Sequence, residues 1–178
     1  MIEKKNLNSL FKELDDALSL KKEKKSIIIY GGAALISLGI LDRATVDIDV
    51  FQPQIDETFL KVINKVGEAH SFGELWINST GNAFVKELPS KWEDRVDLIF
   101  DGKYLTVSRL GRLDLIFTKL LAELDRQEDM ADLMRLKPTD SELERIQEPL
   151  LLLEDNELWK TKVEEIIKRI KGQANGNC

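Results

Sequence analysis

Asp47 and Asp49 are separated by one residue in the run Val46-Asp47-Ile48-Asp49-Val50-Phe51. Side chains alternate along a strand, so both carboxylates project from one side, with Cα atoms about 6.5 Å apart, while Ile48 points into a core. Two carboxylates on one strand face repel each other unless a positive charge lies between them. A divalent cation meets that need, and oxygen donors favour Mg2+ or Mn2+. Upstream, Ile27-Ile28-Ile29-Tyr30 runs into Gly31-Gly32 and then Ala33-Ala34-Leu35-Ile36, the pattern of a strand, a tight turn and a helix. Glycine lets the main chain approach a ligand closely, and the first amides of a helix attract phosphate oxygens. A phosphate cradle beside an acidic metal site suits a nucleoside triphosphate and its metal.

Gly31-Gly32, a helix, and Asp47-x-Asp49 between hydrophobic residues resemble the signature of the nucleotidyltransferase superfamily. Within it they look most like the bacterial branch that includes the AbiEii-type toxins. The resemblance implies that Asp47 and Asp49 hold two Mg2+ (or Mn2+) ions and that Gly31, Gly32 and Ala33 hold the triphosphate. Arg43 and Thr45 match the basic residue and the Ser/Thr that often precede the aspartates, and so join the nucleotide-binding set. The superfamily often has Gly-Ser at the turn; Gly32-Ala33 here removes one hydroxyl contact to phosphate. Further on, Lys119, Arg126, Asp129 and Asp132 resemble a downstream K…R…D…D motif, and Trp92-Glu93-Asp94-Arg95 a W-E-x-R element. By that resemblance Lys119 contacts the triphosphate and Asp129 lies in the nucleotide site. Asp97, in Arg95-Val96-Asp97-Leu98-Ile99-Phe100, is the candidate third carboxylate, as metal ligand or as base on the acceptor, because an acid inside an apolar run needs a reason. The likeness spans roughly residues 26–135 and implies transfer of a nucleoside monophosphate from an NTP to an acceptor hydroxyl. The acceptor is open between a tRNA or other RNA end, a protein and a small molecule. A catalytically silent module paired with an antitoxin protein is the alternative.

Several of these residues have simpler readings. Lys119 lies among Phe117, Leu120 and Leu121, and its stem can cover an apolar face while its ammonium reaches water. Asp129 and Asp132 share a helix face, where one can pair with Arg126. Asp114 fits a helix first turn. His70 reads as a loop residue after a helix, and Trp76, Trp92 and Trp159 as packing residues. Lys21-Lys22-Glu23-Lys24-Lys25 reads as a solvated helix end, with phosphate steering as the sharper alternative.

The elements that must position these groups follow from periodicity. Residues 6–20 predict an amphipathic helix, 27–30 a buried strand, 33–38 a helix, 46–51 a second strand and 57–66 a helix. Residues 75–77 and 83–85 read as short strands about the turn Ser79-Thr80-Gly81-Asn82, and 96–100 with 104–107 as a hairpin. From 109 the pattern is helical, over 113–124, 129–134, 141–147 and 156–170, with breaks at Pro138 and Pro149 and a capping pattern from Ser141 to Glu144. The expectation is an α+β fold: a mixed nucleotidyltransferase-like core over 1–108, a helical part over 109–171 and a frayed tail over 172–178.

The 178 residues can bury a sizeable core. A net charge of −6 argues against a broad nucleic-acid surface. There is no P-loop and no third glycine of a dinucleotide fingerprint. No apolar run approaches the ~20 residues of a membrane span, and the N-terminus lacks a signal-peptide pattern. The single cysteine, Cys178, fits a reducing cytoplasm.

Overall fold

The computed structural model of the chain describes residues 1–80 and 88–175. Among the described residues it holds seven α-helices and one five-stranded mixed sheet, the α+β architecture expected. The chain divides into two units, Met1–Lys86 with Glu93–Gly111, and Glu87–Trp92 with Arg112–Cys178.

The first unit begins with α1 (Lys4–Lys21), whose Leu7, Leu10, Phe11, Leu14 and Leu18 fall at helical spacing and are all buried. A box between Glu3 and Asn6 caps its start, and Lys22 ends it in a left-handed conformation (φ 55°). The strands β1 (Lys25–Tyr30), β2 (Ile48–Gln52), β3 (Ile77–Asn78), β4 (Asp97–Asp101) and β5 (Leu105–Arg109) lie in the order β3-β2-β1-β5-β4. β1 runs antiparallel to β2 and parallel to β5; β3 joins β2 in parallel and β4 joins β5 antiparallel. Ile27, Ile29, Ile48, Val50, Leu105 and Val107 are buried, as β-branched and aliphatic residues on a covered sheet should be. The short helix α2 (Gly31–Ser37) packs on β1 and β2, and α1 packs on α2, on β5 and on α3 (Glu57–Ala69). β2 starts two residues later than the alternation predicts, and α3 extends three residues beyond Val66. Of the predicted strand at 75–77 only Ile77 is paired, together with Asn78. The strand predicted at 83–85 lies outside the described residues, as do Gly81 and Asn82 of the turn before it. The predicted hairpin is present as β4 and β5, and Trp92–Arg95 forms a 3-10 turn before it.

A buried acid that the sequence reading passed over ties this unit together. Asp15, in the middle of α1, accepts the N–H groups of Tyr104 (2.6 Å) and Leu105 (2.8 Å) on one carboxylate oxygen. Burial pushes its pKa up, but these amides, that of Lys103 and the charge of Lys12 outweigh it, so the net effect is a carboxyl held below its usual value. A side chain at Gly102 would collide with that carboxylate, which is why the hairpin turn carries glycine there.

The second unit contains α4 (Arg112–Arg126), α5 (Met130–Leu136), α6 (Asp140–Leu151) and α7 (Glu157–Asn175). α4 packs on the other three, and α7 also packs on α5 and α6. The capping box at the start of α6 joins Thr139 to Glu142 rather than Ser141 to Glu144, because the helix begins one residue after Thr139. Pro149 does not end α6, which continues to Leu151; in the last turn its missing N–H removes only one ladder bond. α7 runs past Gly172, where the sequence predicts a tail.

Candidate active site

The turn between β1 and α2 is built so that two side chains of the following segment can close on it. Gly31 adopts φ +67°, and a Cβ there would stand 2.5 Å from Asp49 Oδ2. A Cβ on Gly32 would stand 3.0 Å from Thr45 Oγ1. At Gly31 both the close approach and the left-handed backbone call for glycine, whereas at Gly32 a side chain would press on Thr45 and require it to shift by a few tenths of an ångström. Ala33 is fully buried, so its methyl group is a core group and only its main chain is available to a ligand.

Asp49 is fixed by the ladder on both sides, opposite Tyr30 of β1 and Asn78 of β3. Its neighbours Ile48 and Val50 are fully buried, so Asp49 takes the other face. Asp47 stands just before the strand, half-buried, and accepts a hydrogen bond from the Thr45 hydroxyl at 3.2 Å. Thr45 pairs through its main chain with Ile2, as an isolated antiparallel bridge. Arg43 is exposed on the same connection between α2 and β2. Gly31, Gly32, Thr45, Asp47 and Asp49 therefore form one cluster at the end of β1. Among the described residues no group of three or more His, Cys, Asp or Glu is arranged to hold a metal ion; Asp47 and Asp49 bring two carboxylates to the cluster.

The sheet does not bring Asp97 to this pair. From β4 to β2 the order β4-β5-β1-β2 places three interstrand spacings, about 14 Å, between them. Asp97 is instead the cross-strand partner of Arg109. Its carboxylate takes Arg109 Nη2 at 3.0 Å and Nε at 3.3 Å, and Arg109 also donates to Ser37 Oγ at 3.2 Å. Asp97 is also exposed, as is Leu98 beside it, so the acid is not buried in the apolar run and bears no burial cost there.

In the second unit Lys119 is the centre of an ion network. Its ammonium donates to Asp129 and, at 2.9 Å, to Asp132, and Arg126 Nη2 adds a bond to Asp129 at 3.2 Å. Asp129 stands at the N-cap of α5, and Glu123 accepts the N–H groups of Asp129 (2.7 Å) and Met130 (2.9 Å). Glu123, Asp129 and Asp132 are all buried. The pairing weighed for Asp129 and Arg126 is present, and Lys119 joins α4 to α5. Glu123 was missed; its one sequence signal is the i, i+4 spacing from Lys119.

Asn78 escaped the sequence reading for want of a pattern. Asn78 is buried beside Asp49; its amide donates to the Leu75 carbonyl (3.2 Å) and its oxygen accepts from Thr80. Tyr30 meets Phe51 edge-on, with ring centroids 6.3 Å apart. His70 lies at the end of α3, with its ring nitrogen 2.7 Å from Glu13, and Lys25 of the basic run pairs with Asp56 and Glu23. No helix among the described residues is long and apolar enough to cross a membrane.

Residues 5–148 match a protein family described as "Nucleotidyltransferase of unknown function (DUF6036)". Searches of curated proteins and of solved structures returned no match.

Proposed function

The chain belongs to this family of nucleotidyltransferases of unknown function, and from that premise we propose that it transfers a nucleoside monophosphate from an NTP to an acceptor hydroxyl at the Gly31/Asp49 cluster. The observation that carries the reading is the closure of the Asp49 carboxylate onto Gly31, at a point a Cβ would fill. Donor chemistry fits a hard divalent cation: Asp47 and Asp49 would hold Mg2+ or Mn2+, with Thr45 orienting Asp47. A bound cation would supply positive charge to the triphosphate and acidify the acceptor hydroxyl. The Gly31-Gly32 main chain offers amides to phosphate, and Arg43 adds positive charge on the same connection. The acceptor oxygen bonds to the α-phosphorus, the bond to the β-phosphate bridging oxygen breaks, pyrophosphate leaves and the acceptor proton passes to solvent. Asp97 and Lys119 have no step in this scheme, since each is committed to an ion pair.

Those two commitments favour a second reading, a module that binds nucleotide without turning it over. The likeness to AbiEii-type toxins supports tRNA as acceptor in the first case and an antitoxin partner in the second. Thermal unfolding with each of ATP, GTP, CTP and UTP, with and without Mg2+, tests the site. At 100 times Kd a ligand adds about 2.7 kcal/mol, a rise of roughly 5–10 °C in Tm for a chain of this size. That rise should require Mg2+, vanish in Asp49→Ala and persist in Asp97→Asn. No rise with any nucleotide refutes the reading. A rise without pyrophosphate release across acceptors selects the silent module.

A further inference from the structure

The two aspartates are held in different ways. Asp49 sits inside a strand with ladder partners on both sides, whereas Asp47 precedes β2, whose first pairing is Ile48 with Ile77. The connection over 38–47 is irregular, and Val46 beside Asp47 is 68% exposed. Part of what holds the segment before Asp47 comes from the start of the chain. Ile2 donates its N–H to the Thr45 carbonyl at 2.8 Å and accepts the Thr45 N–H at 2.9 Å. Its side chain is fully buried. Asn6 in turn accepts the Glu3 N–H (2.8 Å) and donates to the Met1 carbonyl (3.1 Å), which binds these residues to the first turn of α1. Thr45, fixed in this way, lies against Gly32 and donates its hydroxyl to Asp47.

We propose that the main chain of Ile2 is a positioning element of the metal site, which through its bridge to Thr45 holds the Asp47 carboxylate in line with that of Asp49. The inference rests on the reading of Asp47 and Asp49 as cation ligands. Groups that orient metal ligands without touching the metal typically change metal affinity 10–100-fold when removed, and the Ile2–Thr45–Asp47 series has that form.

The test is Mn2+ binding to the nucleotide-free full chain, followed by loss of the free-ion electron paramagnetic resonance signal. Ile2→Pro removes the donated N–H, and Thr45→Val removes the hydroxyl while keeping the shape. Each should weaken Mn2+ binding by about 10–100-fold. Because both act through one chain of contacts, the double variant should lie within about 3-fold of the weaker single variant. Leu7→Ala, which opens a cavity under α1, should lower Tm and leave Mn2+ affinity as it is. Wild-type affinity in a folded Ile2→Pro protein, or losses that multiply in the double variant, overturns the inference and leaves the cation site standing. If Ile2→Pro does not fold, wild-type affinity in Thr45→Val overturns it equally. If the wild type binds no Mn2+, or Asp47→Ala and Asp49→Ala bind it as well as the wild type, the cation site falls and the inference with it.

Discussion

Replacing Gly31 by alanine combines two costs that a second glycine separates. Gly31 and Gly39 both adopt positive φ, at +67° and +77°. A Cβ at Gly39 would meet only Lys4 Nζ at 3.5 Å, an ordinary contact, whereas at Gly31 it would meet Asp49 Oδ2 at 2.5 Å. Left-handed backbone costs an alanine about 1–2 kcal/mol, and stiffening the unfolded chain returns about 0.4–1 kcal/mol. Gly39→Ala should therefore lose about 1 kcal/mol. Gly31→Ala should lose roughly 1–3 kcal/mol more, the usual cost of overpacking, because the Asp49 carboxylate has to move by about 1 Å. A displacement of that size can cost about 100-fold at a reacting centre. Urea unfolding of both variants, with Mn2+ titration of each, measures the two effects. Gly31→Ala should be the less stable of the two and alone weak in Mn2+ binding. Equal stability loss, with Mn2+ affinity intact in both, would refute the close packing of Asp49 on Gly31.

Two further outcomes follow from buried charges. Asp15→Ala leaves the Tyr104 and Leu105 amides without their acceptor, at about 1–3 kcal/mol each; Asp15→Asn keeps the accepting oxygen and should lose less in urea unfolding. Because the Asp15 carboxyl sits below its ordinary value of 3.8 in the folded chain, the unfolded chain binds the extra proton between the two values. Its contribution is complete above the unfolded value and is lost as pH falls through the folded one. Urea midpoints from about pH 6 down to about pH 2 should show a shallower acid decline in Asp15→Asn, and an identical decline would contradict this. Lys119→Met removes the cation between Asp129 and Asp132 and should cost about 3–5 kcal/mol in urea unfolding. Unchanged stability with a raised KM for NTP would return Lys119 to the triphosphate.

The sequence made the front half of the site legible because its signals are local. A glycine pair after an apolar strand and two acids two residues apart are written in the chain itself, and Gly31, Gly32, Thr45, Asp47 and Asp49 do come together. Asp97 shows the limit of such reasoning. An acid in an apolar run signals a partner but not which one, and the partner, Arg109, is chosen by hairpin register. Lys119 carried the same ambiguity, and the partners its ammonium takes, Asp129 and Asp132, come to it through the packing of α4 on α5. Ile2 could not be read at all, since one residue pairing with one residue leaves no periodicity. Helix existence was clear from apolar spacing, while ends shifted wherever a cap or a proline near a terminus decided them, as at Thr139 and Pro149.

The placing of β1 at the centre of the sheet has a consequence for the order of folding. One neighbour, β2, follows it closely along the chain, but the other, β5, pairs Leu105 with Lys25, 80 positions away. Such remote parallel pairing is slow, because a long loop must close before any contact rewards it. Gly31, Thr45 and Asp49 can gather early, around α1, α2 and β2, while the far edge of Ile27-Ile28-Ile29 is still bare. On a ribosome that edge stays open until the segment through Arg109 has emerged, and an unpaired apolar strand is a template for association with other chains. The arrival of β5 closes that edge and, in the same event, delivers to Asp15 the amides it lacks until then.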